Sequence, residues 1–71
     1  MLIGEIAKNS IEKIMVSLSE YKGFTFVDIR VHYEDGTGEW KPTKKGVTIT
    51  PDKIDELVEL LKKAQESIGV K

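Results

Sequence analysis

The sequence predicts an α+β domain, an antiparallel β-sheet followed by one C-terminal helix. Residues 24–33 alternate in character with a period of two. Residues 51–68 repeat apolar side chains at the helical period, and turn-forming residues separate the strand-like segments at short intervals. Consecutive strands joined by tight turns pair antiparallel. The order therefore reads β-β-β-β-α, with four strands, or five if the opening segment adds one.

The first dozen residues fit two patterns. Ile3, Ile6, Ala7, Ile11, Ile14, Met15 and Leu18 would suit one face of a helix. Lys8-Asn9-Ser10 resembles a turn, however, and Val16 to Leu18 alternates at period two. This places a short strand or arm at 2–7 and a strand at about 11–20, with Ile14, Val16 and Leu18 pointing inward. Residues 1–10 are thus an N-terminal arm or short strand, and residues 11–71 form the domain proper.

Tyr21-Lys22-Gly23 marks the next turn. Phe24 to Tyr33 is rich in β-branched and aromatic residues. Thr25, Val27, Ile29 and Val31 form one face of this strand, and Phe26, Asp28, Arg30 and His32 form the other. Glu34-Asp35-Gly36-Thr37-Gly38 reads as a hairpin loop, because glycine supplies the positive φ such loops need. A short strand, Glu39-Trp40-Lys41, should stop at Pro42, which has no N–H to donate. After Lys44-Lys45-Gly46, Val47-Thr48-Ile49-Thr50 alternates again. Thr50-Pro51-Asp52 is a helix start: Thr50 can cap, Pro51 fits the first turn and Asp52 favours the positive dipole end. Ile54, Leu57, Val58, Leu61, Ala64 and Ile68 make an apolar stripe that Leu60 widens, and Gly69 can end the helix.

Composition narrows the function classes. A chain of 71 residues has room for one domain, and a domain this small hides only about 60% of the surface its unfolded chain exposes. Cysteine is absent and histidine occurs once, at His32, so neither a disulfide nor a zinc site can reinforce the fold. Association with a second copy is the remaining reinforcement. The charge balance, 11 Lys+Arg against 12 Asp+Glu for a net −1, excludes a binder that relies on bulk positive charge. Met1-Leu2-Ile3-Gly4-Glu5 lacks the pattern of a secretory signal, and no apolar run approaches the roughly 20 residues that span a bilayer. The expectation is a soluble intracellular protein without membrane contact, in the cytoplasm or nucleoid of a prokaryote or the nucleus of a eukaryote.

Catalysis finds no residues to carry it. There is no cysteine nucleophile, and no serine lies in a nucleophile-elbow motif. Asp28 and His32 share a strand face but sit roughly 13 Å apart at about 3.3 Å per residue, too far to share a metal. An Asp28–Arg30 contact and a solvated His32 account for this face. Gly36-Thr37-Gly38 lies in a hairpin, not between a strand and a helix, so it is no dinucleotide loop. The reading is a non-enzyme with no cofactor and no metal.

Cations beside aromatics are the distinctive feature. Lys41, Lys44 and Lys45 follow Trp40 directly, Tyr21 adjoins Lys22, and Arg30 and Tyr33 lie on the central strand. Sequence-tolerant binding of single strands uses this combination, with cations along the phosphates and bases stacked on rings at about 1–3 kcal/mol each. The same tyrosines and tryptophan would also suit a core, with the lysines a solvated loop. Arg30 and Tyr33 have opposite strand parity, so a flat strand cannot point both from one face.

Residues 14 to 61 resemble the C-terminal domain of the transcriptional coactivator positive cofactor four. The resemblance lies in Val16-Ser17-Leu18 leading to Tyr21-Lys22-Gly23, in Val27-Asp28-Ile29-Arg30, and in Asp35 with Gly38-Glu39. It continues through Lys41-Pro42, Lys45-Gly46-Val47-Thr48-Ile49 and Pro51. It implies a curved four-stranded antiparallel sheet, a C-terminal helix, and a homodimer that holds single-stranded or melted DNA against its sheets. Position by position it implies DNA contacts from Tyr21, Lys22, Arg30, Tyr33, Lys41, Lys44 and Lys45, to which the aromatic–cation pattern adds Trp40. Phe24 and Ser19 depart from it, standing where the family can show lysine and arginine, and each loses a phosphate contact. The Ser-rich and acidic tail of the eukaryotic relatives is missing, which suggests a minimal, prokaryotic-type member. The implied role is transcription regulation or DNA replication and repair, with proteins of those processes as further partners. RNA binding, or a protein-interaction module without nucleic acid, are the alternatives.

Overall fold

Alternation and turn chemistry build four strands in chain order: β1 (Leu2–Ala7), β2 (Glu12–Tyr21), β3 (Phe24–Glu34) and β4 (Trp40–Ile49). They pair as one antiparallel sheet, β1-β2-β3-β4, and a 3₁₀ turn at Pro51–Lys53 leads into the helix α1 (Ile54–Ile68). The computed structural model describes residues 1–69. The opening segment is therefore a strand, as its turn and period-two signals indicate, and it is one of the four.

Each connection is held by local chemistry. In the first, the Asn9 side chain accepts from the Ile11 N–H at 3.0 Å and donates to the Glu12 carboxylate at 2.7 Å. That bond, with the charge of Lys8, holds the Glu12 carboxyl below its usual range. β2 and β3 then pair without interruption from Glu12↔Tyr33 to Tyr21↔Phe24. Lys22 and Gly23 join them at φ 52° and 83°, two left-handed residues whose twist matches that of the strands. In the β3–β4 loop the Asp35 carboxylate accepts from both the N–H and the hydroxyl of Thr37, and the Asp35 N–H donates to the Glu39 carbonyl at 3.0 Å.

The last strand corrects the sequence reading. Glu39-Trp40-Lys41 and Val47-Thr48-Ile49-Thr50, expected as two strands, are joined in one, and β4 runs from Trp40 through Pro42 to Ile49, leaving out Glu39 and Thr50. Pro42 is tolerated because β4 is an edge strand, where a missing donor need not break a ladder. The interruption is a bulge. Arg30 pairs with Gly46 and His32 with Pro42, so Thr43, Lys44 and Lys45 stand opposite Val31 alone. A fifth strand is thereby excluded among the described residues.

The helix also differs at its start. Thr50 is extended and makes no side-chain capping bond, Pro51–Lys53 take the tighter 3₁₀ form, and α1 proper begins at Ile54. Gly69 ends it as expected, left-handed at φ 76° with its N–H on the Glu66 carbonyl at 3.1 Å.

Opposed residues in an antiparallel ladder share a face, so the registers assign every strand residue. One face carries Ile6, Ile14, Val16, Leu18, Val27, Ile29, Val31, Val47 and Ile49. This aliphatic face ought to be a core, yet no described residue is fully buried. α1 packs on the 3₁₀ turn at its own start and leaves the sheet face open. Val58, Leu61 and Ile68 in its apolar stripe, and Leu60 beside it, are all exposed. The molecule measures 38 × 37 × 18 Å with a radius of gyration of 14.1 Å, whereas a compact chain of this length would have about 11 Å. Full burial of each large aliphatic side chain would stabilise the fold by about 1.5–3 kcal/mol. One copy leaves most of that unrealised.

Asp35 provides a test of the loop. Hydrogen bonds from Thr37, then a bond from Lys41, hold its carboxyl below the usual carboxylate value of 3.8. A depressed folded pKa stabilises above the unfolded value and is lost as pH falls through the folded one. Thermal melts from pH 7 to pH 3 should therefore show a smaller acid-induced loss of stability in Asp35→Asn than in the parent, together with a lower melting point at pH 7.

Candidate nucleic-acid interface

The face opposite the aliphatic one is polar and aromatic. β2 contributes Lys13, Met15, Ser17, Ser19 and Tyr21; β3 contributes Phe24, Phe26, Asp28, Arg30, His32 and Glu34; β4 contributes Trp40, Pro42, Gly46 and Thr48. Tyr21, Arg30 and Trp40 thus share one surface, with Lys22 in the adjoining turn. Tyr33 and Lys41 are direct partners in the β3–β4 ladder and lie on the other face, with Glu12 opposite Tyr33 on β2. The bulge does not reconcile Arg30 with Tyr33, because its extra residues are on β4 while β3 alternates regularly. Lys44 and Lys45 sit exposed in the bulge, at the open edge of the sheet.

Arg30 is the centre of the polar face. Its Nε and Nη2 donate to the two Asp28 carboxylate oxygens at 3.1 and 3.0 Å, and its Nη1 donates to the Thr43 carbonyl at 2.9 Å. The expected Asp28–Arg30 contact is thus a two-pronged pair, and it raises the Arg30 pKa. The bond to Thr43 ties the pair to the bulge. Thr43 is held a second time, since its hydroxyl donates to the Val31 carbonyl at 2.7 Å and accepts from the Lys45 N–H at 3.1 Å. Gly46 makes room for this arrangement. A Cβ there would come within 2.8 Å of both the Arg30 Cζ and the Ile29 carbonyl oxygen. Gly46 lets a guanidinium lie across β4, a role that its place after Lys44-Lys45 does not reveal.

A second aromatic–cation contact was not singled out from the sequence. Lys13 reaches across β3 to place its ammonium 4.2 Å from the centre of the Trp40 ring, and it pairs with Glu5 at 2.8 Å. Its parity opposite Ile14 and Val16 puts it on the polar face, but only the register of three strands brings it to Trp40. Lys22 sits 5.3 Å from the Tyr21 ring.

Ion pairing sorts the cations by availability. Lys41 pairs with Asp35 at 3.2 Å, Lys13 with Glu5, and Arg30 with Asp28. Among the described residues of the sheet and its turns, Lys22, Lys44 and Lys45 have no carboxylate within ion-pair distance. These three can meet a polyanion without first breaking an ion pair. No described group of three or more His, Cys, Asp or Glu is arranged to hold a metal, and no described helix is long and apolar enough to cross a membrane.

Residues 8–60 match the family model described as Transcriptional Coactivator p15 (PC4). The RNA polymerase II transcriptional coactivator SUB1 of Saccharomyces cerevisiae is 43% identical over 44 residues, which is 61% of this chain and 15% of that protein. The chain thus spans a small part of the length of this relative. Two crystal forms of a PC4 homologue from Burkholderia pseudomallei, orthorhombic and tetragonal, superpose with TM-scores of 0.88 and 0.87 at 28% identity. Each superposition covers 92% of this chain, with 88% and 96% of the respective homologue chains.

The close approach at Gly46 predicts that Gly46→Ala destabilises the fold by about 1–3 kcal/mol, the range for forcing extra volume into a filled space. Denaturant unfolding measures this. Adding Arg30→Ala should recover only part of the loss, because the clash with the Ile29 carbonyl remains.

Proposed function

The chain belongs to the Transcriptional Coactivator p15 (PC4) family, and from that premise we propose that it binds single-stranded or locally melted DNA as a homodimer, with little sequence preference and no chemistry. The observation that carries this reading is the division of the sheet. One face is aliphatic and uncovered, and the other carries the exposed rings of Tyr21 and Phe24, the half-buried rings of Phe26 and Trp40, and the ion-paired cations Lys13 and Arg30. A second copy serves the first. It would bury the aliphatic face and the stripe of α1, supplying the apolar burial that one chain lacks. The polar face then remains open to a ligand.

On that face Tyr21 and Trp40 offer rings to unpaired bases, while Lys22 in the adjoining turn and Lys44 and Lys45 at the β4 edge offer charge to phosphates. Arg30 holds the bulge that presents Lys44 and Lys45, its own charge paired with Asp28. Tyr33 and Lys41, on the opposite side at one end of the ladder, would meet a strand that passes over the β4 edge or comes from the second copy. The process served is transcription regulation or DNA replication and repair, inside the cell and alongside other proteins of those processes. RNA shares the phosphate and base chemistry used here, and a 2′-hydroxyl would distinguish it only by a direct contact. The exposed stripe of α1 favours one further reading, a protein-interaction module without nucleic acid.

Two experiments decide among these. In fluorescence anisotropy, a single-stranded oligonucleotide should bind more tightly than its duplex, with a matched RNA titrated alongside. Reversing the charge of Lys44 and Lys45 should weaken binding and flatten its salt dependence by about 0.7 in slope per lost phosphate contact. Lys41 reversal should have a smaller effect, since Asp35 already neutralises it. An absence of binding at low salt would leave the interaction module. In sedimentation velocity the parent should run as a dimer, and Leu61→Lys should give monomer with reduced helicity. A monomeric parent would remove the second copy from the site.

A further inference from the structure

The hairpin tip between β2 and β3 carries two aromatic rings that no part of the chain covers. Tyr21 is 63% exposed and Phe24 75% exposed. They are the last opposed pair of the ladder, so their Cβ atoms lie about 4.5–5.5 Å apart and the rings stand side by side on the polar face. The turn that joins them holds Lys22 in the left-handed region at φ 52°, which a non-glycine residue rarely adopts. Its ammonium sits 5.3 Å from the Tyr21 ring. By resemblance alone, Phe24 counts as a lost phosphate contact.

The surroundings argue against a core or an apolar docking site. Ser17, Ser19, Asp28 and Thr48 share this face with the half-buried Met15, Phe26 and Trp40, and the aliphatic residues that a second copy would cover are on the other. Exposed rings on a polar surface, with an unpaired lysine between them, suit a ligand that has flat faces and negative charge at short intervals. An unpaired stretch of nucleotides has both.

We propose that Phe24 is a base-stacking residue, which with Tyr21 forms a two-ring platform for consecutive nucleotides whose linking phosphate meets Lys22. This rests on the single-strand reading above. The rings are too close to admit a base between them, so each takes a base on its outward face. The platform exchanges a charge contact for a stacking one. Binding at this tip should therefore persist at salt concentrations that remove the lysine contacts.

The test is a salt series of anisotropy titrations with a thymidine homo-oligonucleotide, using the full chain. Phe24→Ala should weaken binding about 5- to 100-fold at every salt concentration, with an unchanged salt slope. Phe24→Tyr should bind as the parent does. Phe24→Lys should steepen the slope by about 0.7, as one added phosphate contact requires. Because Phe24 is exposed, the alanine variant should keep the parent's thermal melt and sedimentation coefficient. Parent-like affinity in Phe24→Ala would overturn the inference while leaving the single-strand reading intact. So would a weakening accompanied by dissociation of the dimer, since Phe24 would then join the two copies. A parent protein that fails to bind the oligonucleotide at low salt would overturn the single-strand reading, and this inference with it.

Discussion

The Arg30 guanidinium spans two strands. It grips the Asp28 carboxylate on its own strand and the Thr43 carbonyl on the next, lying over Gly46 where a Cβ would not fit. Thr43, Lys44 and Lys45 stand opposite a single β3 residue, and an unbraced insertion of that length at a sheet edge would fray. Arg30 and the two bonds of the Thr43 hydroxyl give it a fixed shape. The availability of Lys44 and Lys45 at the edge follows from that brace, as does the continuity of β4 through Pro42. Geometry that looks like a phosphate-binding arginine is, within the chain, a device that positions other cations.

The second governing fact is the missing core. A sheet with one aliphatic face needs something to cover it, and α1 is amphipathic but stands away from it. Two apolar surfaces thus stay uncovered on so small a chain. The family assignment and the superposition on the Burkholderia pseudomallei homologue fit this architecture, since the same strand order and terminal helix recur at 28% identity.

The sheet's two-sidedness also sorts the aromatic residues. Tyr21, Phe24, Phe26 and Trp40 occupy the polar face, whereas Tyr33 looks out from the aliphatic side beside Lys41. Residue type alone places all five in one list. Parity separates Tyr33 from Arg30 on β3 at once, but the face of Trp40 depends on how β4 is registered against β3. Likewise Lys13 acquires its role only when three strands are aligned and its ammonium comes to rest on Trp40.

By itself the sequence determined the class of fold, the alternation of β2 and β3, the turn at Lys22-Gly23, the end of the C-terminal helix at Gly69 and the family resemblance. Each of these is written in neighbouring residues: period two or 3.6, positive-φ glycines, a proline at a helix start. Only the tertiary structure decided that β4 is one strand, that Gly46 makes room for Arg30, and that α1 leaves the sheet uncovered. Those outcomes depend on residues that are distant in the chain and adjacent in the ladder. The proline that seems to end a strand is harmless once its strand lies at an edge, and local pattern carries no record of which strands are edges.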